Sequence, residues 1–289
     1  MLGGCVAAPL RDTVTPPGIA ATAPAHAQVD AAQAAQKVQA LLPVDALLLG
    51  EQHDAPAHQQ IQQAVVEVLA AQGQLAALAL EMAQQGGTTA GLQTGATEAL
   101  VRAALHWDEN AWPWATYSPV VMAAVRAGVP VLGANLPREQ MRSAMQNKAL
   151  DDHLTLAGWQ KQQENIREGH CGVLPESQIV PMARIQLARD AAMAQTVLSA
   201  LRPGQTVLLI AGNGHVDAAL GVPTHLARLA PARSQKSVRL SPAHDAAGES
   251  AASTESVWIT AAPPPRDYCA GMKAQMAPGP ATAPAGTRP

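Results

Sequence analysis

The chain is a succession of short apolar runs set between stretches of helical periodicity. Ala46 to Gly50 (ALLLG), Leu75 to Leu80 (LAALAL), Val129 to Leu132 and Thr206 to Ala211 (TVLLIA) are continuous, strand-length and apolar, the pattern of strands buried on both faces. Ser237 to Leu240 and Val257 to Thr260 add two weaker strands. Asp30 is placed to cap an Ala- and Gln-rich helix reaching Leu42. Asp54 and Pro56 start a helix through Gln72, which Gly73 stops. Residues 88–112 are helical but irregular, and Ser118 with Pro119 opens a helix that ends at Gly128. A polar, mostly helical region covers 137–169, followed by a helix from Glu176 to Leu201. Such alternation predicts an α/β fold: a mostly parallel sheet flanked by helices, with right-handed crossovers. The helical stretches 88–128 and 137–200 predict a helical cap subdomain.

The two ends differ from this pattern. No stretch approaches the roughly 18 consecutive apolar residues that span a bilayer. Leu2, Gly3, Gly4 and Cys5 are similar to a bacterial lipobox, in which small residues precede a cysteine that receives lipid. That reading makes Cys5 a lipid attachment point and places the chain in the bacterial envelope, periplasm-facing, with the membrane reached only through the anchor. The basic and apolar regions of a secretory signal do not precede Cys5, so either the start is trimmed or the match is accidental. Residues 1–28 then form a Pro- and Ala-rich tether, 29–262 the α/β domain, and 263–289 a disordered Pro- and Ala-rich tail. One island, Arg266, Asp267, Tyr268 and Cys269, interrupts that tail.

Composition changes the picture in two places. The 289 residues carry 19 Lys+Arg and 22 Asp+Glu, a net charge of −3, with no basic run to attract nucleic acid. There is no Phe, and only two Tyr and five Trp, so the core is aliphatic and each aromatic ring is individually informative. Four of the seven fall at Trp107, Trp112, Trp114 and Tyr117. Three cysteines, at 5, 171 and 269, exclude a disulfide framework and allow at most one bridge.

The candidate chemistry lies where the strands end, the edge at which open α/β sheets bind ligands. The first strand ends in Glu51 and His53, the second in Glu81, the third in Asn135 and the fourth in His215. These residues either line one cleft or cap helices and satisfy loop amides. Gly212 and Gly214 flank Asn213 and permit positive φ and close backbone approach.

The strings LLLGEQHD with His58 following, ALALEM, VPVLGANLPRE, EGHCGVLP, QLARDAAMA and LLIAGNGHVDAALGVPTHL resemble, in order over roughly residues 40–230, the motifs of ChaN-type haem-uptake lipoproteins. These belong to a wider TraB/Tiki and erythromycin-esterase-like assemblage. The resemblance implies an envelope lipoprotein for haem and iron uptake, served by an outer-membrane receptor. It also implies a homodimer holding two cofacial haems, each iron bound by a Tyr of one subunit while a His of the other reaches the propionates. A phenolate suits ferric iron, a hard cation. Tyr117 is the first candidate, and Tyr268, outside the matched motifs, the second. The aromatic cluster around Tyr117 is either a flat wall for a porphyrin or a local core with Tyr117 hydrogen-bonded inside. His53, His170 and His215 are candidates for iron or propionates, and His58 shares their motifs. His26, His106, His153, His225 and His244 read as solvated or structural. Cys171 reads as a small buried residue. Met182, Ile185, Arg189 and Met193 form a helical stripe that is either core or a haem face, with Arg189 at its edge for the propionates.

The rival reading is an enzyme of that assemblage. Glu51, His53, Glu81 and His215 have the donor types to bind a divalent metal such as Zn or Mn and to activate water in a hydrolase. Neither HExxH nor GxSxG occurs, so zincin and α/β-hydrolase patterns are not supported.

Overall fold

The structure is a computed structural model that describes residues 28–243 and 256–276. Cys5, His26 and His244 lie outside them, as does the tether up to residue 27. The elements run α1 (Ala31–Gln39), β1 (Ala46–Glu51), α2 (Pro56–Ala71), β2 (Leu75–Gln84), α3 (Glu98–Ala104), α4 (Trp114–Arg126) and β3 (Val131–Asn135). They continue with α5 (Met141–Gln146), α6 (Leu156–Gly169), α7 (Glu176–Ser199), β4 (Thr206–Gly212), α8 (Val222–Leu229), β5 (Gln235–Pro242), β6 (Ser256–Thr260) and α9 (Tyr268–Met276). Single 3-10 turns at Arg138–Gln140 and Lys148–Asp152 flank α5.

The six strands form one sheet in the order β3-β2-β4-β1-β5-β6, and every pairing is parallel. The apolar runs are strands because both faces of the sheet are covered. On β1, Leu47 and Leu49 enter one core with Ile61, Val65 and Leu69 of α2, while Leu48 enters the other with Met193 and Val197 of α7. The two-residue period of a strand puts alternate leucines into separate layers, so a buried strand shows no polar alternation. Helices α1 to α4 join the first layer, and α7 and α8 the second. Outside α7, α5 and α6 build two small clusters of their own around Ile185 and Ile179.

Several boundaries differ from expectation for identifiable reasons. Asp30 caps α1 as read, in a reciprocal capping box with Gln33. Asp54 does not cap α2: Ala55 occupies that position with Pro56 beginning the helix, and Asp54 serves other partners. α4 begins at Trp114 and carries Pro119 inside it, so the proline does not open the helix. Of 88–112, only Glu98–Ala104 is α-helical. Among the described residues no helix is long and apolar enough to cross a membrane.

The segment after Ala261, expected to be disordered, contains α9 among its described residues. Asp267 Oδ1 accepts the Ala270 N–H at 2.9 Å, an N-terminal cap of ordinary type. Cys269 is bonded to Cys171, with their Cα atoms 5.4 Å apart across 98 positions of sequence. Cys171 is thus half of a disulfide and not a buried free thiol. Sequence spacing alone cannot show such pairings.

Candidate functional site

Strand register assembles the site. Glu51 is paired with Gly212, and Leu80 is paired with Ile210, so Glu51, Glu81 and the start of the loop after β4 reach the same level at the carboxyl edge. A cavity of about 800 Å³ opens there, within the usual range for a ligand site. Its lining includes Glu51, His53, Glu81, Arg189, His215 and Tyr268. Asn135 is absent from it, because β3 is the edge strand and the Asn135 amide oxygen accepts the Leu136 N–H.

Glu51 is the floor. Its Oε1 accepts from the Tyr117 hydroxyl at 2.8 Å and from His53 Nδ1 at 2.7 Å, and its Oε2 from Gln59 at 3.0 Å and Gln62 at 2.5 Å. Four donors satisfy a carboxylate that is otherwise cut off from water. His53 is thereby oriented: Nδ1 is tied to Glu51, Trp112 packs edge-on against its ring at 4.8 Å, and its side chain remains 39% exposed. Its Nε2 lies 3.9 Å from Glu81 Oε2, too far for a hydrogen bond. Burial would lower its pKa, but the bond to Glu51 and the charges of Glu81 and Glu51 outweigh this and raise it. An imidazole with one nitrogen on a carboxylate and the other facing a cavity is arranged as ligating histidines usually are.

Beside it lies a buried ion chain. His215 Nδ1 donates to Asp190 Oδ1 at 2.6 Å, its Nε2 faces Glu81 Oε1 at 3.3 Å, and Glu81 Oε2 accepts the Gly212 N–H at 2.7 Å. Burial opposes the imidazolium, yet the two flanking carboxylates push the His215 pKa up to about 10. Burial likewise opposes the Glu81 carboxylate, and His215, His53 and the Gly212 amide reverse it, holding Glu81 well below the usual range. Asp190 is pushed up to about 6 by its burial, despite His215. Gly212 serves close approach and not positive φ: a Cβ there would sit 3.0 Å from His53 Nε2, tighter than ordinary contact.

The aromatic cluster turns out to be local core. Trp107 and Trp114 meet edge to face at 4.9 Å, as do Trp112 and Tyr117 at 5.9 Å, and none of the four lines the cavity. Tyr117 is 1% exposed, and burial beside Glu51 raises its phenol pKa far beyond the ordinary value. Its placement therefore differs from that expected of an iron ligand: the hydroxyl is committed to Glu51 and sits beneath the cavity. Tyr268 is 53% exposed and lines the mouth. Its hydroxyl donates to Asp54 Oδ2 and accepts from Gln52 Nε2 at 3.3 Å. The signal for it was the RDYC island in an otherwise featureless tail.

Other candidates separate cleanly. His170 caps α6, with Nδ1 on the Ile166 carbonyl at 2.8 Å, and Gly169 takes the place at the cavity wall. His58 is structural, accepting the Gln52 N–H on Nδ1 and donating to Thr260 from Nε2. His153 and His225 stack at 3.6 Å away from the cavity lining. In the α7 stripe Ile185 and Met193 are core, while Arg189 reaches the cavity with its Nε buried and without a hydrogen-bond partner. Among the described residues, no three His, Cys, Asp or Glu side chains are disposed to hold a metal ion, because Glu51, Glu81, His215 and Asp190 spend their donors and acceptors on one another and on neighbouring amides. The divalent-metal reading gains no support from this arrangement.

Comparison with known proteins identifies the family. No curated protein matches the chain. Among solved structures, ChaN of Campylobacter jejuni, described with cofacially bound haem, superposes with a TM-score of 0.60 at 25% identity, covering 71% of this chain and 85% of that one. A Bacillus cereus protein (TM-score 0.41, 15% identity, 72% and 69% covered) and a succinoglycan biosynthesis protein (0.43, 13%, 72% and 68%) are too distant in shape to bear on the site. The family described as haem-binding uptake, Tiki superfamily, ChaN, matches residues 37–226, about two thirds of the chain, and the protein belongs to that family.

Proposed function

We propose that this protein binds haem at the cavity over β1, β2 and β4, with Tyr268 as the phenolate ligand, and carries it for haem or iron uptake. The observation that carries the reading is the placement of the two tyrosines. Tyr117 is sealed beneath Glu51, whereas Tyr268 stands half exposed at the mouth beside the loop that bears His53. The residues present fit the group. A tyrosine oxygen suits ferric iron; the Tyr268 hydroxyl donates to Asp54, and that bond, with the charge of Asp54, raises the phenol pKa, so binding the cation must displace that proton. Arg189, with a buried unpartnered Nε, and Arg266 supply positive charge to a ligand that carries two carboxylates. His53 presents Nε2 to the same cavity, while His215 is occupied with Glu81 and Asp190 and supports the floor.

The haem of the Campylobacter protein is cofacial, and a second copy facing this shallow site would give the same pairing; the reading therefore includes a homodimer. Lipid attachment at Cys5, a periplasm-facing envelope location and an outer-membrane haem or iron receptor complete it. Titration with haemin should give a saturable Soret shift with a charge-transfer band of tyrosinate bound to ferric iron. Both should be lost in Tyr268→Phe and retained in Tyr117→Phe. No saturable shift at micromolar haemin overturns the reading.

A further inference from the structure

Cys171 and Cys269 have no part in the haem chemistry just described, yet the bond between them lies at its edge, joining two segments that each carry a residue lining the cavity. Cys269 immediately follows Tyr268, and Cys171 lies in the turn between α6 and α7, two residues beyond the cavity-lining Gly169. That turn is well anchored: the Cys171 and Gly172 amides donate to Glu168 and Arg167 at 2.9 Å each, with both residues in the left-handed region. The chain segment it clasps is not. From Ala261 to Lys273 no side chain is buried. Besides the disulfide, the polar contacts that hold that segment to the site among the described residues are the Tyr268 hydroxyl on Asp54 and Gln52, and Arg266 at 3.7 Å from Asp54. Exposed polar contacts of this kind contribute little to holding a segment in place. The chain reaches the site from Thr260, eight positions before Tyr268, and the three successive prolines between them stiffen the connection without fixing where the phenol at its far end points.

We infer that the Cys171–Cys269 bond is a positioning device for haem binding, pinning the segment that carries Tyr268 and Arg266 across the mouth of the cavity. The inference rests on the haem reading above. The bond acts through Tyr268 and touches neither iron nor porphyrin. It restricts the ligand before haem arrives, and so reduces the ordering that binding would otherwise require.

Cys171→Ser, Cys269→Ser and the double variant, each checked for an unchanged circular dichroism spectrum, are titrated with haemin beside the wild type. Loss of a supporting contact to an iron ligand weakens binding about 10- to 100-fold. Because the bond and not either sulfur is the device, the three variants should weaken equally. Tyr268→Phe added to Cys269→Ser should cost less than it does in the wild type. Trypsin should cut after Arg266 and Lys273 faster in all three. Wild-type affinity, an unchanged charge-transfer band and unchanged cleavage in the serine variants would overturn the inference. So would a double variant markedly weaker than either single one. Should the wild type itself bind no haemin, the haem reading fails, and cleavage after Arg266 still decides whether the bond holds the segment.

Discussion

Replacing Tyr117 by Phe removes one oxygen from the interior and separates a structural role from a ligand role. The lost bond is 2.8 Å long and donated to a carboxylate, a class that contributes about 1.5–3 kcal/mol. Glu51 is not stranded, since Oε1 keeps His53 Nδ1 and Oε2 keeps Gln59 and Gln62. The ring also keeps its tilted contact with Trp107 and its edge contact with Trp112. The cost therefore belongs near the lower end, about 1.5–2 kcal/mol, which for a domain of this size lowers Tm by about 3–8 °C. Scanning calorimetry measures this directly, and a haemin titration of the same preparation should return the wild-type Soret position. A Tm within about 1 °C of wild type would refute the energetic account. An unchanged Tm with loss of the Soret shift would restore Tyr117 as the ligand.

Two further outcomes follow from the buried histidines. Burial lowers the pKa of His58 to about 4 and, with the neighbouring His153 and Arg228 charges, that of His225 to about 3, both from an ordinary 6.5. Their folded-state values are depressed, so they contribute stability above pH 6.5 that is lost as pH falls. Between about pH 6 and 4 the combined slope should approach 2.7 kcal/mol per pH unit. Urea midpoints at pH 7, 6 and 5 test this; a flat profile contradicts it, and His58→Gln should remove about half the slope. His215 has the opposite sign: its raised pKa gives stability that is complete below pH 6.5 and fades as pH rises towards about 10. His215→Gln leaves Glu81 and Asp190 without their cation and should cost about 3–5 kcal/mol by urea unfolding at pH 7. A loss under about 1 kcal/mol would show the chain of charges to be solvated.

Much of this molecule is written locally. Continuous apolar runs at Ala46, Leu75 and Thr206 can be satisfied only by strands covered on both faces, which requires a parallel sheet with helices on either side. The polar residues that end those runs, Glu51, His53, Glu81 and His215, leave at the same edge because parallel strands all end there. Family motifs carried by the same residues pointed to haem, and the family match agrees. What could not be read locally depends on register and on contacts distant along the chain. Tyr117 and Tyr268 are told apart in the sequence only by setting, one in a Trp-rich stretch and one in a Pro-rich tail, and that setting puts Tyr117 first. Only packing buries the first against Glu51, 66 positions away, and brings the second to Asp54, 214 positions away. Asn135 has the same local setting as Glu81 and is excluded because its strand lies at the edge of the sheet. The pairing of Cys171 with Cys269 is of the same kind: a bond between residues 98 positions apart is a property of where two surfaces meet. Propensity and patterning act over one or two turns of chain, so the sequence by itself determined the layers and the edge where chemistry collects. Which side chains face the cavity, and which only support those that do, was decided by tertiary packing alone.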